Sequence, residues 1–230
     1  MSSQTLAIAS SRPARPDKPP RQAPSRKADI LLISGLLLLG LIPAIAGQVR
    51  LFELFTGGEI TADNVRFFNQ PFPFVVHIVA ATLYAFLGAF QFSALIRRRF
   101  INWHRRAGRM LAVCGLLLAS TGLWMSLFYD LPASDGILLL VFRLVFGIAM
   151  IVALVLGIVA VLRRNLQQHR AWMIRAYAIA MAAGTQVFAQ LPWIMLFGMP
   201  GEWTRGWLMA AGWIINVAVA EIIIRRQTQL

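Results

Sequence analysis

With 58% of its 230 residues hydrophobic and only 13% charged, the chain carries more apolar side chain, in longer runs, than a water-soluble domain of this size buries, so its solvent is a lipid bilayer. A formal net charge of +13 would suit a nucleic-acid partner, but the basic residues sit in short clusters between apolar runs, as in the loops of membrane proteins, which argues against that class. The single cysteine, Cys114, lies in an apolar run; it excludes an intrachain disulfide and a thiolate metal cluster and reads as a small core residue.

Residues 1–27, rich in Pro and Ser and carrying Arg12, Arg15, Lys18, Arg21, Arg26 and Lys27, predict a disordered basic cytoplasmic tail. Residues 28–230 then form a single transmembrane helical domain with its core over 72–197. The first apolar run, Ile30 to Ala46, is just long enough to span with a flanking turn. Two readings of it stand: a retained helix kinked at Pro43, or a signal cleaved at Ala44-Ile45-Ala46. From Gln48 to Pro71, Glu53, Glu59 and Asp63 oppose Arg50 and Arg66, which predicts an outside loop with a short interfacial helix around Leu51 to Phe55. The second span runs from Phe74 to Ile96 and the third from Arg109 to Leu127, followed by an acidic turn with Asp130, Pro132 and Asp135. The fourth covers Ile137 to Leu162, and the fifth Met173 to Phe197 with Pro192 near its outer end. After a turn from Gly198 to Gly206, the sixth runs from Trp207 to Ile224, and Trp193, Trp203 and Trp207 fall at the outer interface.

Charge orients the spans. The tail, the segments Arg97 to Arg109 and Arg163 to Arg175, and the pair Arg225 and Arg226 hold 18 basic residues, against Arg50, Arg66 and Arg205 on the other side. That asymmetry predicts a multi-pass protein with both termini cytoplasmic. The chain also repeats itself. His77 to Arg109 and Arg143 to Arg175 share one plan of apolar helix, arginine-rich turn and second helix; Arg97, Arg98 and Arg109 align with Arg163, Arg164 and Arg175, and a one-residue slip brings His104-Arg105 onto His169-Arg170. Two parallel helical hairpins, forming a four-helix core within a six-helix bundle, follow from this.

Ionisable groups inside spans have partners or a task. Arg143 reads either as snorkelling to the outer headgroups or as facing the interior, where it would hold an anion or a quinone-like carbonyl. His77, Tyr84 and Gln91, spaced by seven, line one helix face. With Arg143, Gln186 and Gln190, His77 and Tyr84 sketch an outer polar pocket; the alternative is a set of interhelical hydrogen bonds that hold the bundle together. At the inner ends, His104 and His169 would face one another as axial ligands of a haem iron, with Arg105, Arg109, Arg170 and Arg175 neutralising its propionates. The competing reading is that these clusters contact anionic lipid headgroups. Glu221 is placed to pair with one of these arginines. There is no Walker-type loop, HExxH or GxSxG, and no acid pair placed for hydrolysis, so hydrolase and ATPase activity have no support and catalytic residues are not assignable.

His77, Tyr84, Leu87-Gly88, Gln91-Phe92, His104-Arg105, Gly108-Arg109 and the run His169-Arg170-Ala171-Trp172-Met173-Ile174-Arg175 resemble the bacterial membrane family of domain of unknown function 2306, over Phe72 to Leu191. The resemblance implies the paired-hairpin architecture and no reaction; the expected location is the bacterial inner membrane. A looser similarity is to haem-b membrane cytochromes of the cytochrome b561 kind. Those carry two intramembrane histidine pairs, whereas this chain has three histidines in all. The leading expectation is a small haem- or quinone-binding redox or binding module. Its competitors are a non-enzymatic protein that binds anionic lipid or a partner subunit, a homo-oligomer included, and a small-solute transporter.

Overall fold

A computed structural model describes residues 25–62, 64–132 and 134–228. Among these residues the chain is all-helical, with eight helices of which six are long and apolar enough to cross a membrane. The six are α1 (Arg26–Thr56), α3 (Pro71–Gln91), α5 (Ile101–Phe128), α6 (Ile137–Leu162), α7 (Leu166–Phe197) and α8 (Glu202–Thr228). Two short helices, α2 (Val65–Asn69) and α4 (Ala94–Arg99), lie in the connections. The expected tail falls mostly outside the described residues. At its end, Ser25 caps α1 by accepting from the Ala28 amide (3.2 Å), so Arg26 and Lys27 open the helix rather than close the tail.

Several boundaries differ from the expectations: the second span stops at Gln91 instead of Ile96, and the sixth begins at Glu202, inside the expected turn, instead of Trp207. The residues expected to form a separate interfacial helix, Leu51 to Phe55, are the last turns of α1, which runs unbroken through Pro43 and Ala44-Ile45-Ala46 to a left-handed Gly57 cap. Polar residues along it are partnered: Gln48 donates to Thr82 Oγ1 on α3 (3.0 Å), and Arg50 pairs with Glu53 (2.9 Å). At 31 residues α1 is roughly 46 Å long, well beyond the hydrocarbon core. The third span begins at Ile101 instead of Arg109, and α7 at Leu166 instead of Met173, because arginine and glutamine propagate a helix as readily as leucine does.

The helices pack α3 on α5, α5 on α6, α6 on α7 and α7 on α8, while α1 lies against α3 and α7. Alternation of direction gives the bundle two ends. One carries the α5–α6 turn with Asp135, and the other carries α4 and the α6–α7 turn with the two later histidines. Between them the core combines small residues and two tyrosines, Ala80, Tyr84, Cys114, Ala119, Ala153, Ala176 and Tyr177, with the larger Leu111, Met150, Leu154, Ile179 and Met181, all buried. Small residues let the backbones approach. A Cβ on Gly88 would stand 2.5 Å from the Tyr177 ring, and one on Gly184 only 2.0 Å from the Leu39 carbonyl oxygen, which seats α1 directly on α7. Tyr177 donates to the Ala85 carbonyl at 2.7 Å, so its hydroxyl is satisfied within the apolar core. Large apolar residues such as Leu38, Val113, Val145 and Ile148 stay exposed on the outer faces, the pattern of helices whose outside meets lipid.

Candidate functional site

At the Asp135 end, α1, α3, α5, α6, α7 and α8, with the short α2, line an open cavity of about 460 Å³. Its walls are mostly apolar, with Ile78, Met150, Ile179 and Trp213 among them, and its polar lining includes His77, Tyr84, Ser126, Asp135, Arg143 and Gln186. Of the residues expected to form an outer pocket, His77, Tyr84, Arg143 and Gln186 meet at this one space. Gln190 stands behind it, donating to Met209 Sδ (2.9 Å) and accepting from Arg205 Nη1 (3.4 Å). Gln91, on the same face of α3, is too far along the helix to join them and lies beside Gly108 on α5.

Arg143 does not reach for headgroups. Its Nη2 donates to Asp135 Oδ2 at 2.7 Å, and the other oxygen of that carboxylate accepts from Arg205 Nε at 2.6 Å. Asp135 sits in the turn just before α6 begins, about two turns above Arg143, so the start of that helix sets the two side chains within reach. Its side chain is only 5% exposed. Burial alone would raise its pKa; the charges and hydrogen bonds of Arg143 and Arg205 more than reverse that and hold it below the ordinary carboxylate value. Two guanidiniums on one carboxylate leave the triad with one positive charge at the cavity wall.

His77 is held in a definable tautomer. Thr121 gives its one hydroxyl hydrogen to the Leu117 carbonyl (2.6 Å), so at 3.1 Å it accepts from His77 Nδ1–H. Nε2 therefore keeps a lone pair. Nearby, Tyr129 donates to the Gln70 carbonyl, and burial pushes its phenol pKa up. Gln186 is buried and donates to the Met209 carbonyl (3.0 Å), tying α7 to α8 beside the cavity.

At the opposite end, His104 and His169 stand on α5 and α7, and the cavity reaches neither. His169 Nδ1 lies 2.8 Å from the Gly157 carbonyl oxygen, which can only accept, so Nδ1 carries the hydrogen and Nε2 has the lone pair. His104 Nδ1 and Gln91 Nε2 are buried without a hydrogen-bond partner among the described residues. Arg175 is engaged by Glu221 through two bonds, at 2.5 and 2.9 Å, and stacks over Trp172 at 4.5 Å. Arg105 and Arg109 are exposed, and Arg170 makes contacts of its own. Among the described residues, no three His, Cys, Asp or Glu side chains gather as a metal site.

Sequence reasoning passed over Asp135 and Arg205 as loop charges, and Asp29 and Ser93 altogether. For Asp135 a signal existed: an acid eight positions before an intramembrane arginine, just ahead of the helix that carries it.

Residues 74–224 match the family model described as "Predicted membrane protein (DUF2306)", and that match extends past Leu191 to take in most of α8. No curated protein and no solved structure matches the chain at a significant level, and the looser likeness to haem-b cytochromes has no counterpart in these comparisons. Since the match covers well over half of its residues, the chain belongs to the DUF2306 family of predicted membrane proteins.

Proposed function

We propose that this DUF2306-family protein is a membrane binding module whose Asp135-end cavity takes a quinone-like amphiphile, with the oxygenated ring between His77 and Arg143. The observation that carries this reading is a largely apolar cavity of about 460 Å³ whose polar groups include the His77 imidazole and the Arg143 guanidinium. Arg143 donates to a carbonyl oxygen, and His77 Nε2 accepts from a hydroxyl, so the pair suits both the quinone and the quinol. Ile78, Met150, Ile179 and Trp213 supply apolar surface for the ring. The triad's single net positive charge favours an electron-rich oxygen over a cationic head.

The test is a titration of short-chain benzoquinone and naphthoquinone into the protein in nanodiscs, followed by tryptophan fluorescence. Saturable quenching that requires Trp213 and weakens in His77→Ala and Arg143→Gln is expected. Quenching that rises linearly with added quinone, or that is equal in both variants, would overturn the reading.

A second reading, haem b between His104 and His169 with Arg105, Arg109, Arg170 and Arg175 near its propionates, is favoured by one observation. The Nδ1–H of His169 is held by the Gly157 carbonyl, a hydrogen bond that orients a ligating imidazole, and Nε2 is left to bind iron. Expression with haem supplied decides it: a Soret band lost in His104→Ala and in His169→Ala but kept in His77→Ala supports this site, and no band removes it. Both readings sit within one orientation, termini in the cytoplasm of a bacterial inner membrane, which is supported by the 18 basic residues on one side against three on the other.

A further inference from the structure

Between α3 and α4 the chain breaks at Ser93, whose hydroxyl accepts from the Ile96 amide (3.1 Å) and donates to Asp29 Oδ2 (2.5 Å). Asp29 belongs to the first turn of α1, is 5% exposed, and also accepts from the Leu95 amide (3.0 Å) and the Ala94 amide (3.3 Å). One buried carboxylate thus fastens α4 to the start of α1. Arg26 lies three residues before Asp29, and Arg98 and Arg99 close α4. The fastening brings these three arginines around one open surface hollow, with Leu95 as its apolar wall.

Nothing in the described chain neutralises them. The four ion pairs formed there, Arg50–Glu53, Arg143–Asp135, Arg205–Asp135 and Arg175–Glu221, include none of the three. Asp29, the acid nearest in the chain, has both its oxygens turned onto Ser93 and the α4 amides. Among the described residues, three cations are therefore gathered by a dedicated contact with no acid paired to them. Because α4 joins two membrane-length helices, it lies at the level of the lipid headgroups, and Leu95, Phe100, Ile101 and Trp103 around it are exposed apolar side chains.

We propose that Arg26, Arg98 and Arg99 form a binding site for the phosphate of an anionic phospholipid, whose acyl chains run along the apolar side chains beside α4. Guanidinium groups match phosphate oxygens in pairs, and a phosphodiester carrying two acyl chains uses the charged and the apolar parts of the site together. This inference concerns the opposite end of the bundle from the quinone-like ligand and does not depend on it.

The experiment is native mass spectrometry of the full chain in detergent, with phosphatidylglycerol, phosphatidylcholine or inorganic phosphate added. Wild type should retain phosphatidylglycerol well above phosphatidylcholine. Arg98→Gln with Arg99→Gln should weaken that retention by at least about tenfold, from the contribution each juxtamembrane cation makes. Arg163→Gln with Arg164→Gln, at the other corner of the same end, should leave it within about twofold on the same scale. If the Arg98 and Arg99 pair cannot be purified folded, Arg26→Gln takes its place, with a smaller loss in the same direction. Equal retention by wild type and these variants, equal loss in the Arg163 and Arg164 control, or displacement of the lipid by inorganic phosphate alone would each overturn the assignment.

Discussion

Asp135→Ala removes the carboxylate that faces Arg143 at 2.7 Å and Arg205 at 2.6 Å. The carboxylate is 5% exposed, whereas the two arginine side chains are 21% and 26% exposed, so they keep some contact with solvent or headgroups when their partner goes. Two hydrogen bonds between charged groups contribute about 1.5–3 kcal/mol each, an upper sum near 6. Partial hydration of the stranded guanidiniums recovers a share, which leaves about 3 kcal/mol, the lower end of what breaking a buried pair costs. At roughly 2–4 °C per kcal/mol for a chain of this size, Tm in detergent at neutral pH should drop by about 6–12 °C. Adding Arg143→Leu and Arg205→Leu to Asp135→Ala should restore more than half of that drop, because removing a whole buried charge set is far cheaper than removing one member. A single-variant loss under about 3 °C, or a triple variant no better than the single, would refute the claim that the triad is a mutually compensated unit. The same carboxylate has a pH signature. Burial works to raise its pKa and the two arginines lower it further, so its folded value lies below the unfolded carboxylate value of about 3.9. A depressed folded pKa gives stability that is full above the unfolded value and lost as pH falls through the folded one. The Asp135 contribution to Tm should therefore be flat from about pH 7 to 5 and decline below about pH 4, a decline that Asp135→Ala lacks.

Gly184→Ala places a methyl 2.0 Å from the Leu39 carbonyl and must push α1 off α7, whereas Gly35, with nothing within 4 Å of its Cβ position, should accept Ala neutrally or gain up to about 1 kcal/mol; Tm of the two variants reads the difference. For Arg175 and Glu221, 27% and 32% exposed, a double-mutant cycle should return a coupling of about 0.5–1 kcal/mol, and a value near zero would mean the pair is incidental. Reporters fused after Arg99 and after Gln167 should surface in the same compartment, since α5 and α6 lie between them; opposite compartments would break the two-hairpin arrangement.

Hydropathy made the six spans legible because lipid demands long apolar helices, and Ile137–Leu162 is bounded in the structure as the sequence predicts. It could not place the ends of α1, α3, α5, α7 and α8, since it measures what a bilayer tolerates and not where a helix stops. His77, Tyr84, Arg143 and Gln186 could be grouped because helical spacing and depth are local properties of each segment. What such reasoning cannot reach is a partner brought in by tertiary packing. Arg205 lies 70 residues from Asp135 and Ser93 lies 64 from Asp29, and no periodicity connects either pair.

The repeat explains why residues so far apart share a depth. His77 is the seventh residue of α3 and Arg143 the seventh of α6, while His104 and His169 are the fourth residues of α5 and α7. Parallel hairpins thus deliver an imidazole and a guanidinium to one cavity wall, and two imidazoles to the other end. The one-residue slip between the halves lies in the corners: 30 residues separate Pro71 from Ile101, and 29 separate Ile137 from Leu166. In the second half the helix simply runs on to Leu162 and turns through Arg163, Arg164 and Asn165, with Arg164 in the left-handed region. In the first it stops at Gln91, and Ser93 restarts it as α4, so Arg97 and Arg98 sit on a helix whereas their counterparts sit in or beside a turn. The group that satisfies the amides freed by that break is Asp29, from α1, which lies outside the repeat. The same helix brings Gly40 and Pro43 to the cavity wall at the other end. The two hairpins thus differ in their own corners, and α1, packed on α3 and α7, supplies the carboxylate that the broken corner needs.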